Sequence, residues 1–403
     1  MRVLAAADLH LGAGITAKMR SNRFLVFHRI LKIVKEEHVD ILLISGDFLE
    51  QDRISSSEVK EVIRELSELE TQVFISPGNH DPYTILSKYA EFTWPKNVKV
   101  FREPETVVLD KLSATVTGAG FKNIYEKESL FPKCIEVFNQ ATQDLYSWKS
   151  ADSVADESKS RRNYLHLANF HGEVEANSLY NPISKLDLAR SNFTYVALGH
   201  IHKGELELQR SGDTYYAQTG TAEPLDMGDS GVRGVYLLDF AVDNSLRSVQ
   251  YISTARTVYI NLLLDFYNLN SYQFIIEQLK LEIEQQLNVY RSDIDSLSKG
   301  LNGKYNFTQD FIFNIRIVGT RSEDFHLDKL MLKNLLDELG IAYEKLSIEL
   351  GISFDIEKIS AENSLRGLYT RKILHEISVA DESEKEILRE ALQLGLESFG
   401  SSR

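Results

Sequence analysis

Ile41-Leu42-Leu43-Ile44-Ser45-Gly46-Asp47 is an unbroken apolar run that ends on a small turn and a carboxylate. No polar residue alternates within Ile41–Ile44, so the strand it forms is buried on both faces, as in the centre of a parallel sheet. The same pattern stands on either side. Val3-Leu4-Ala5-Ala6-Ala7 leads into Asp8-Leu9-His10, and Gln72-Val73-Phe74-Ile75 leads into Gly78-Asn79-His80-Asp81. Between these runs, Phe24, Phe27, Leu31 and Val34 recur at helical spacing, as do Val59, Val62, Leu66 and Leu69. Ser55 to Ser57 precede the second stripe, and Glu58 and Glu61 lie in its first turn, where the helix dipole favours them. Strand–helix–strand–helix–strand predicts parallel strands joined by right-handed crossovers.

Further along, Val98–Phe101, Val107–Leu109 and Ala114–Thr117 read as the start of a second sheet. A more polar stretch, 122 to 163, reads as a helix around Phe131 to Trp148 and an exposed loop from Ser150 to Arg162. Strand signals return at Leu165–Asn169, Tyr195–Leu198, Leu206–Leu208, Thr214–Ala217 and Val235–Phe240, and the sum is a layered, sheet-on-sheet α/β domain. The pattern then restarts without metal-type residues. Val258–Phe266, Phe311–Val318 and Tyr343–Ile348 read as strands, and Tyr272–Leu287, Leu327–Leu339, Leu365–Ile377 and Glu382–Phe399 as helices. The predicted boundary near Ser253–Thr257 gives a domain of residues 1–255 and an α+β domain of residues 256–403.

Bulk properties agree with two folded domains, since 403 residues exceed one ordinary core. The lone Cys134 excludes an intrachain disulfide and suits a reducing compartment. No secretory pattern opens the chain, and no stretch approaches the ~20 apolar residues of a membrane helix, so a cytoplasmic protein without a membrane span is expected. A formal net charge of −14 argues against binding nucleic acid through bulk electrostatics.

Five of the ten histidines fall in the motifs Asp8-x-His10, Gly78-Asn79-His80-Asp81, His171 and Gly199-His200-Ile201-His202, each just past an apolar run. Ligands bind outside the carboxyl ends of parallel strands, so Asp8, Asp47, Asn79, His171 and His200 are expected to converge at one edge of the fold. Carboxylate, amide and imidazole donors together suit a pair of divalent ions about 3.5–4 Å apart that activates a water. Residues two apart on an extended segment point the same way, so His10 with Asp8, and His202 with His200, can each chelate. Any single motif is uninformative: Gly-Asn-His-Asp alone is equally a tight turn.

Together these motifs, with Ala7-Asp8-Leu9-His10-Leu11-Gly12 and the later Gly220-Thr221-Ala222-Glu223-Pro224, resemble the calcineurin-like metallophosphoesterases. Within that family they resemble the DNA-repair exonuclease branch of SbcD and YhaO-like proteins. The resemblance covers residues 1 to about 240. It implies a four-layer core of two stacked β-sheets flanked by helices, with a small C-terminal α+β capping domain. It further implies Asp8, His10, Asp47 and His202 around one ion, and Asn79, His171 and His200 around the other, with Asp47 bridging. His80 would face the substrate, stabilising the phosphorane or protonating the leaving oxygen, with Asp81 orienting it. Manganese is the implied metal, although the donors also accept iron or zinc.

Lys18, Arg20, Arg23 and Arg53, which follow the first two motifs, are candidate phosphate contacts. Two functions remain open: a DNA exonuclease or endonuclease in repair, and a phosphoesterase acting on a nucleotide or other small diester, which the acidic charge favours. A non-catalytic scaffold is the third, and the complete ligand set with His80 speaks against it. The resemblance also implies an SMC-like ATPase partner and a homodimer, for which Tyr83, Ile85, Leu86, Tyr89 and Phe92 are the candidate face. The apolar side of Glu382–Phe399 is expected to pack on its own domain.

Overall fold

A computed structural model describes residues 1–151, 164–174, 177–297, 304–305 and 307–400; most of the expected Ser150–Arg162 loop lies outside them. In chain order the first part runs β1 (Arg2–Ala6), α1 (Ala17–Glu36), β2 (Ile41–Ile44), α2 (Ser56–Ser67), β3 (Gln72–Ile75), α3 (Lys88–Glu91) and β4 (Val98–Val100). It continues through β5 (Glu105–Leu109), β6 (Ala114–Gly118), α4 (Phe131–Ala151), β7 (Leu165–His171), β8 (Glu173–Val174), β9 (Pro182–Ile183) and α5 (Lys185–Arg190). Then come β10 (Tyr195–Gly199), β11 (Gln209–Ser211), β12 (Thr214–Gln218), β13 (Gly234–Phe240) and β14 (Leu246–Ser253).

Two six-stranded sheets form, in the orders β14-β13-β1-β2-β3-β4 and β11-β12-β10-β7-β6-β5. Each has a parallel centre: β1 to β4 run parallel in the first, and β6, β7, β10 and β12 in the second. Side chains alternate across each strand and so define the layers. Val3, Ala5, Ile41, Leu43 and Phe74 pack against Val116, Leu165, Leu167, Tyr195 and Ala197, which places this core between the sheets. The opposite faces take helices. Leu4, Leu42, Ile44 and Ile75 meet Phe27, Ile30, Val59 and Val62 of α1 and α2, while Phe170, Val196 and Leu198 meet Phe131, Phe138 and Leu188 of α4 and α5. The four-layer expectation therefore holds, with two local changes. Val98–Val100 joins the first sheet beside β3 rather than opening the second, and the strand expected at Leu206–Leu208 forms instead at Gln209–Ser211.

Caps explain where the crossover helices start. Thr16 Oγ1 accepts the Met19 amide ahead of α1, and Ser55 and Glu58 form a reciprocal capping box ahead of α2. Each cap begins its helix just after a polar motif, so the motif itself stays in the loop at the strand's carboxyl end.

Two compact units divide the chain: Met1–Tyr259 with Asn288–Phe311, and Ile260–Leu287 with Ile312–Arg403. The first unit takes back residues 288–311 after the chain has entered the second. Apolar contacts and hydrogen bonds hold them there: Tyr290, Ile294 and Leu297 pack on the inter-sheet core, Tyr305 donates to Glu37, and Arg29 donates to the Thr308 carbonyl. The second unit is built on β15 (Thr257–Leu269), β16 (Asp310–Ser322) and β17 (Tyr343–Ser353), hydrogen-bonded in that order. Its helices are α6 (Tyr272–Leu297) as far as Leu287, α7 (Lys329–Glu338), α8 (Ile356–Ser360), α9 (Leu365–Val379) and α10 (Glu382–Gly400). Leu392 and Leu396 of α10 pack with Phe354, Ile359 and Tyr369, as expected of that helix, while Leu394 points to solvent. No helix among the described residues is long and apolar enough to cross a membrane.

Candidate metal centre

The motif residues arrive at one place because their strands are parallel and adjacent. Asp8 follows β1, Asp47 follows β2 and Asn79 follows β3; His171 ends β7, and His200 and His202 follow β10. The sheets close tightly there. A Cβ on Gly199 would lie 1.8 Å from the Ser45 carbonyl oxygen, and one on Gly46 would lie 2.0 Å from His171 Nδ1. Asp8, His10, Asp47 and His200 hold φ of 49°, 46°, 45° and 95°, a left-handed conformation that costs such residues about 1–3 kcal/mol each and persists where a site over-determines it.

Four imidazoles are each anchored on their outer side. His10 Nδ1 lies 3.2 Å from Glu50 Oε2, His171 Nδ1 3.2 Å from the Ser45 carbonyl, His200 Nε2 3.1 Å from Glu173 Oε1 and His202 Nδ1 3.3 Å from Asp229 Oδ1. An acceptor claims the N–H and leaves the lone pair on the opposite nitrogen. Those opposite nitrogens converge: His10 Nε2 is 3.3 Å from His202 Nε2, and His171 Nε2 is 3.2 Å from His200 Nδ1. Asn79 Oδ1 lies 2.8 Å from His171 Nε2 and 3.1 Å from His200 Nδ1. With those tautomers lone pair faces lone pair, an arrangement that a divalent cation satisfies. Asp47 stands between the two groups, its Oδ2 3.4 Å from His171 Nε2 and 3.8 Å from His10 Nε2. Asp8, His10 and His202 offer one cluster of ligand atoms and Asp8, Asp47 and His171 another, and His10, Asp47 and His80 also lie within reach of a common ion.

Charge leads to the same reading. Burial, with Asp47 nearby, raises the Asp8 carboxyl well above the usual carboxylate range. Burial opposes ionisation of Asp47 as well, and His171, His10 and His80 counter it only where those rings carry a proton. Burial lowers His10 and His171, which keeps them neutral and able to ligate. Divalent charge at this point stabilises both carboxylates.

His80 is half exposed at the mouth, its Nδ1 3.2 Å from Glu50 Oε1. That hydrogen bond lifts its pKa to about 9, so the ring is protonated at neutral pH. The place expected for Asp81 beside this ring is taken by Glu50. Asp81 is buried and turned the other way, accepting the Gly78 and Leu49 amides at 2.7 and 2.9 Å and the Tyr89 hydroxyl at 2.5 Å. Its carboxyl holds the shape of the loop and does not touch the imidazole.

The expected phosphate contacts separate. Arg23 is buried and donates to the carbonyls of Leu9, Glu223 and Pro224, so it braces the Asp8–His10 loop from beneath and is closed to substrate. Arg20 binds Glu58 and the carbonyls of Gly12 and Arg53, Lys18 pairs with Asp310, and Arg53 is exposed. Of the candidate pairing face, Tyr89 is buried, while Ile85 and Leu86 are 91% and 86% exposed. Glu50, Glu173 and Asp229 have no motif to announce them.

Two stacked mixed sheets that carry such a donor set at one edge are those of a metal-dependent phosphoesterase. The chain belongs to the calcineurin-like phosphoesterase family, whose model matches residues 1–204, and members of that family hydrolyse phosphoesters with divalent metals. It is 27% identical over 249 residues to the uncharacterized metallophosphoesterase YhaO of Bacillus subtilis, a match covering 58% of this chain and 56% of that protein. It is 33% identical over 87 residues to the DNA double-strand break repair protein Mre11 of Methanopyrus kandleri, covering 20% of this chain and 19% of that one. The chain thus spans little over half the length of the first of these relatives and about a fifth of the second. Among solved structures, TT1561 of Thermus thermophilus matches at a TM-score of 0.38 and 12% identity, over 63% of this chain and 98% of that one.

Proposed function

We propose that the chain is a manganese-dependent phosphodiesterase that acts on DNA as an exonuclease or endonuclease in repair. The observation that carries the chemistry is Asp47, one carboxylate within reach of both convergent imidazole groups. We assign Asp8, His10, Asp47 and His202 to one ion and Asp47, Asn79, His171 and His200 to the other. Bound there, a divalent pair supplies Lewis acidity and a nucleophilic water at neutral pH. The protein's own part is positional and acid–base. The four anchored rings hold their lone pairs inward, and Glu50 fixes the half-exposed His80 through its Nδ1. Protonated His80 stabilises the charge that develops on phosphate and gives a proton to the leaving oxygen. The similarity to a DNA repair protein supports a polynucleotide substrate. The net charge of −14, with Arg20 and Arg23 turned onto the protein itself, favours the second reading, a small nucleotide or other small phosphodiester. An SMC-like ATPase partner, a homodimer and a cytoplasmic setting belong to the DNA reading; the exposed Ile85 and Leu86 support the homodimer.

Linear duplex DNA and a chromogenic small diester, each with manganese, distinguish the readings. Nucleotide release from DNA, abolished by chelation and reduced about 10²–10⁴-fold in His80→Ala with bound metal unchanged, is expected. Turnover of the small diester alone transfers the function to the second reading, and turnover of neither contradicts both.

A further inference from the structure

Asn169 is an amide at a position whose neighbours along the strand are apolar. Leu165 and Leu167 of β7 face the core between the sheets, and the next inward positions on that face are Asn169 and then His171. Asn169 is wholly buried. An unpaired amide there costs several kcal/mol of desolvation, so its bonds report what the position is for. Its side-chain bonds cross to the other sheet. Asn169 Nδ2 donates to the carbonyls of Ile44 at 3.0 Å and Phe74 at 3.1 Å, and Oδ1 accepts the Ser45 hydroxyl at 2.7 Å. Its own carbonyl accepts the Ser76 hydroxyl at 2.7 Å.

These contacts fall on the last turn of chain before three site residues. Ser45 precedes Gly46-Asp47, Ser76 precedes Pro77-Gly78-Asn79, and Asn169 precedes Phe170-His171. His171 Nδ1 also rests on the Ser45 carbonyl, so Ser45 is held from both ends. No side-chain bond of Asn169 reaches the Asp8–His10 loop or the His200–His202 loop among the described residues. We infer that Asn169 is a positioning residue that sets the His171 strand end in register with the chain before Asn79, and so tunes the ion on the Asn79/His171 side more than the other, which shares only Asp47 with it. This inference rests on the two-ion reading above.

Manganese titration of the full chain by calorimetry tests it, with wild type, Asn169→Leu and Ser45→Ala in parallel. Two binding steps in wild type are the premise, and a wild type without them sinks the two-ion reading itself. Given two steps, Asn169→Leu is expected to weaken one about 10–100-fold and leave the other within about twofold, as outer-shell changes do. Saturating manganese restores turnover with KM unchanged. Ser45→Ala, which deletes one hydroxyl and no backbone contact, is expected to weaken the same step about 3–10-fold, and it decides the matter if Asn169→Leu does not fold. Both steps unchanged, or both weakened equally alongside a lowered Tm, overturns the inference, because a stitch that only stabilises the fold has no preference between ions.

Discussion

The two sheets bring different chemistry to the same edge. The first delivers the carboxylates and the amide, Asp8, Asp47 and Asn79, with His10 and His80; the second delivers imidazoles alone, His171, His200 and His202. Neither half is a site by itself. Carboxylates gathered on one sheet repel each other and resist ionisation, as burial and Asp47 make Asp8 do. Neutral rings on the other have lone pairs but no charge with which to hold a cation. Donors from the two halves meet at 2.8 Å between Asn79 and His171 and 3.3 Å between His10 and His202. Binding is therefore a property of how the sheets stack, and the core between them is part of the site's construction.

The largest effect expected from this contrast is at the shared carboxylate. Asp47→Asn should remove both ions and lower turnover by roughly 10³-fold or more, since it withdraws charge from both groups. His200→Ala, on the imidazole sheet, should cost one ion; metal content after dialysis, measured by mass spectrometry, separates the two outcomes. Equal metal loss in both variants would erase the distinction between the halves. A smaller effect is expected beneath the site. Leu167→Ala hollows the inter-sheet core and should destabilise the chain by about 2–5 kcal/mol in a denaturant titration, with weaker manganese binding alongside. Destabilisation with metal affinity untouched would detach the stacking from the site. The smallest expected effects are at the outer anchors: Glu173→Gln should weaken the ion beside His200 about 10–100-fold, and Asp229→Asn the ion beside His202, each sparing the other.

What can be read in the chain divides along the same line. The proposed ligands are legible because each stands just past an apolar run, and a strand's end is announced by its own hydrophobic period. Their supports are not. Glu50, Glu173 and Asp229 are three among 59 acidic residues, and only folding places each against a ring. Asn169 reads as the end of a strand because an amide after an apolar run reads as a stop. Arg23 reads as a substrate contact because charge suggests solvent, yet it lies on the buried face of α1, one turn before Phe27. Asp81 shares a motif with His80, but adjacency in the chain is not contact. Beyond residue 255 the strands and helices are legible, whereas the return of 288–311 to the first unit depends on long-range contacts that no local pattern carries.

Manganese-edge anomalous scattering from crystals of the full chain soaked in manganese addresses the central claim most directly. The account predicts two peaks flanking Asp47, one among Asp8, His10 and His202 and one among Asn79, His171 and His200. No anomalous density at that edge, or the imidazoles rotated away from Asp47, would contradict it.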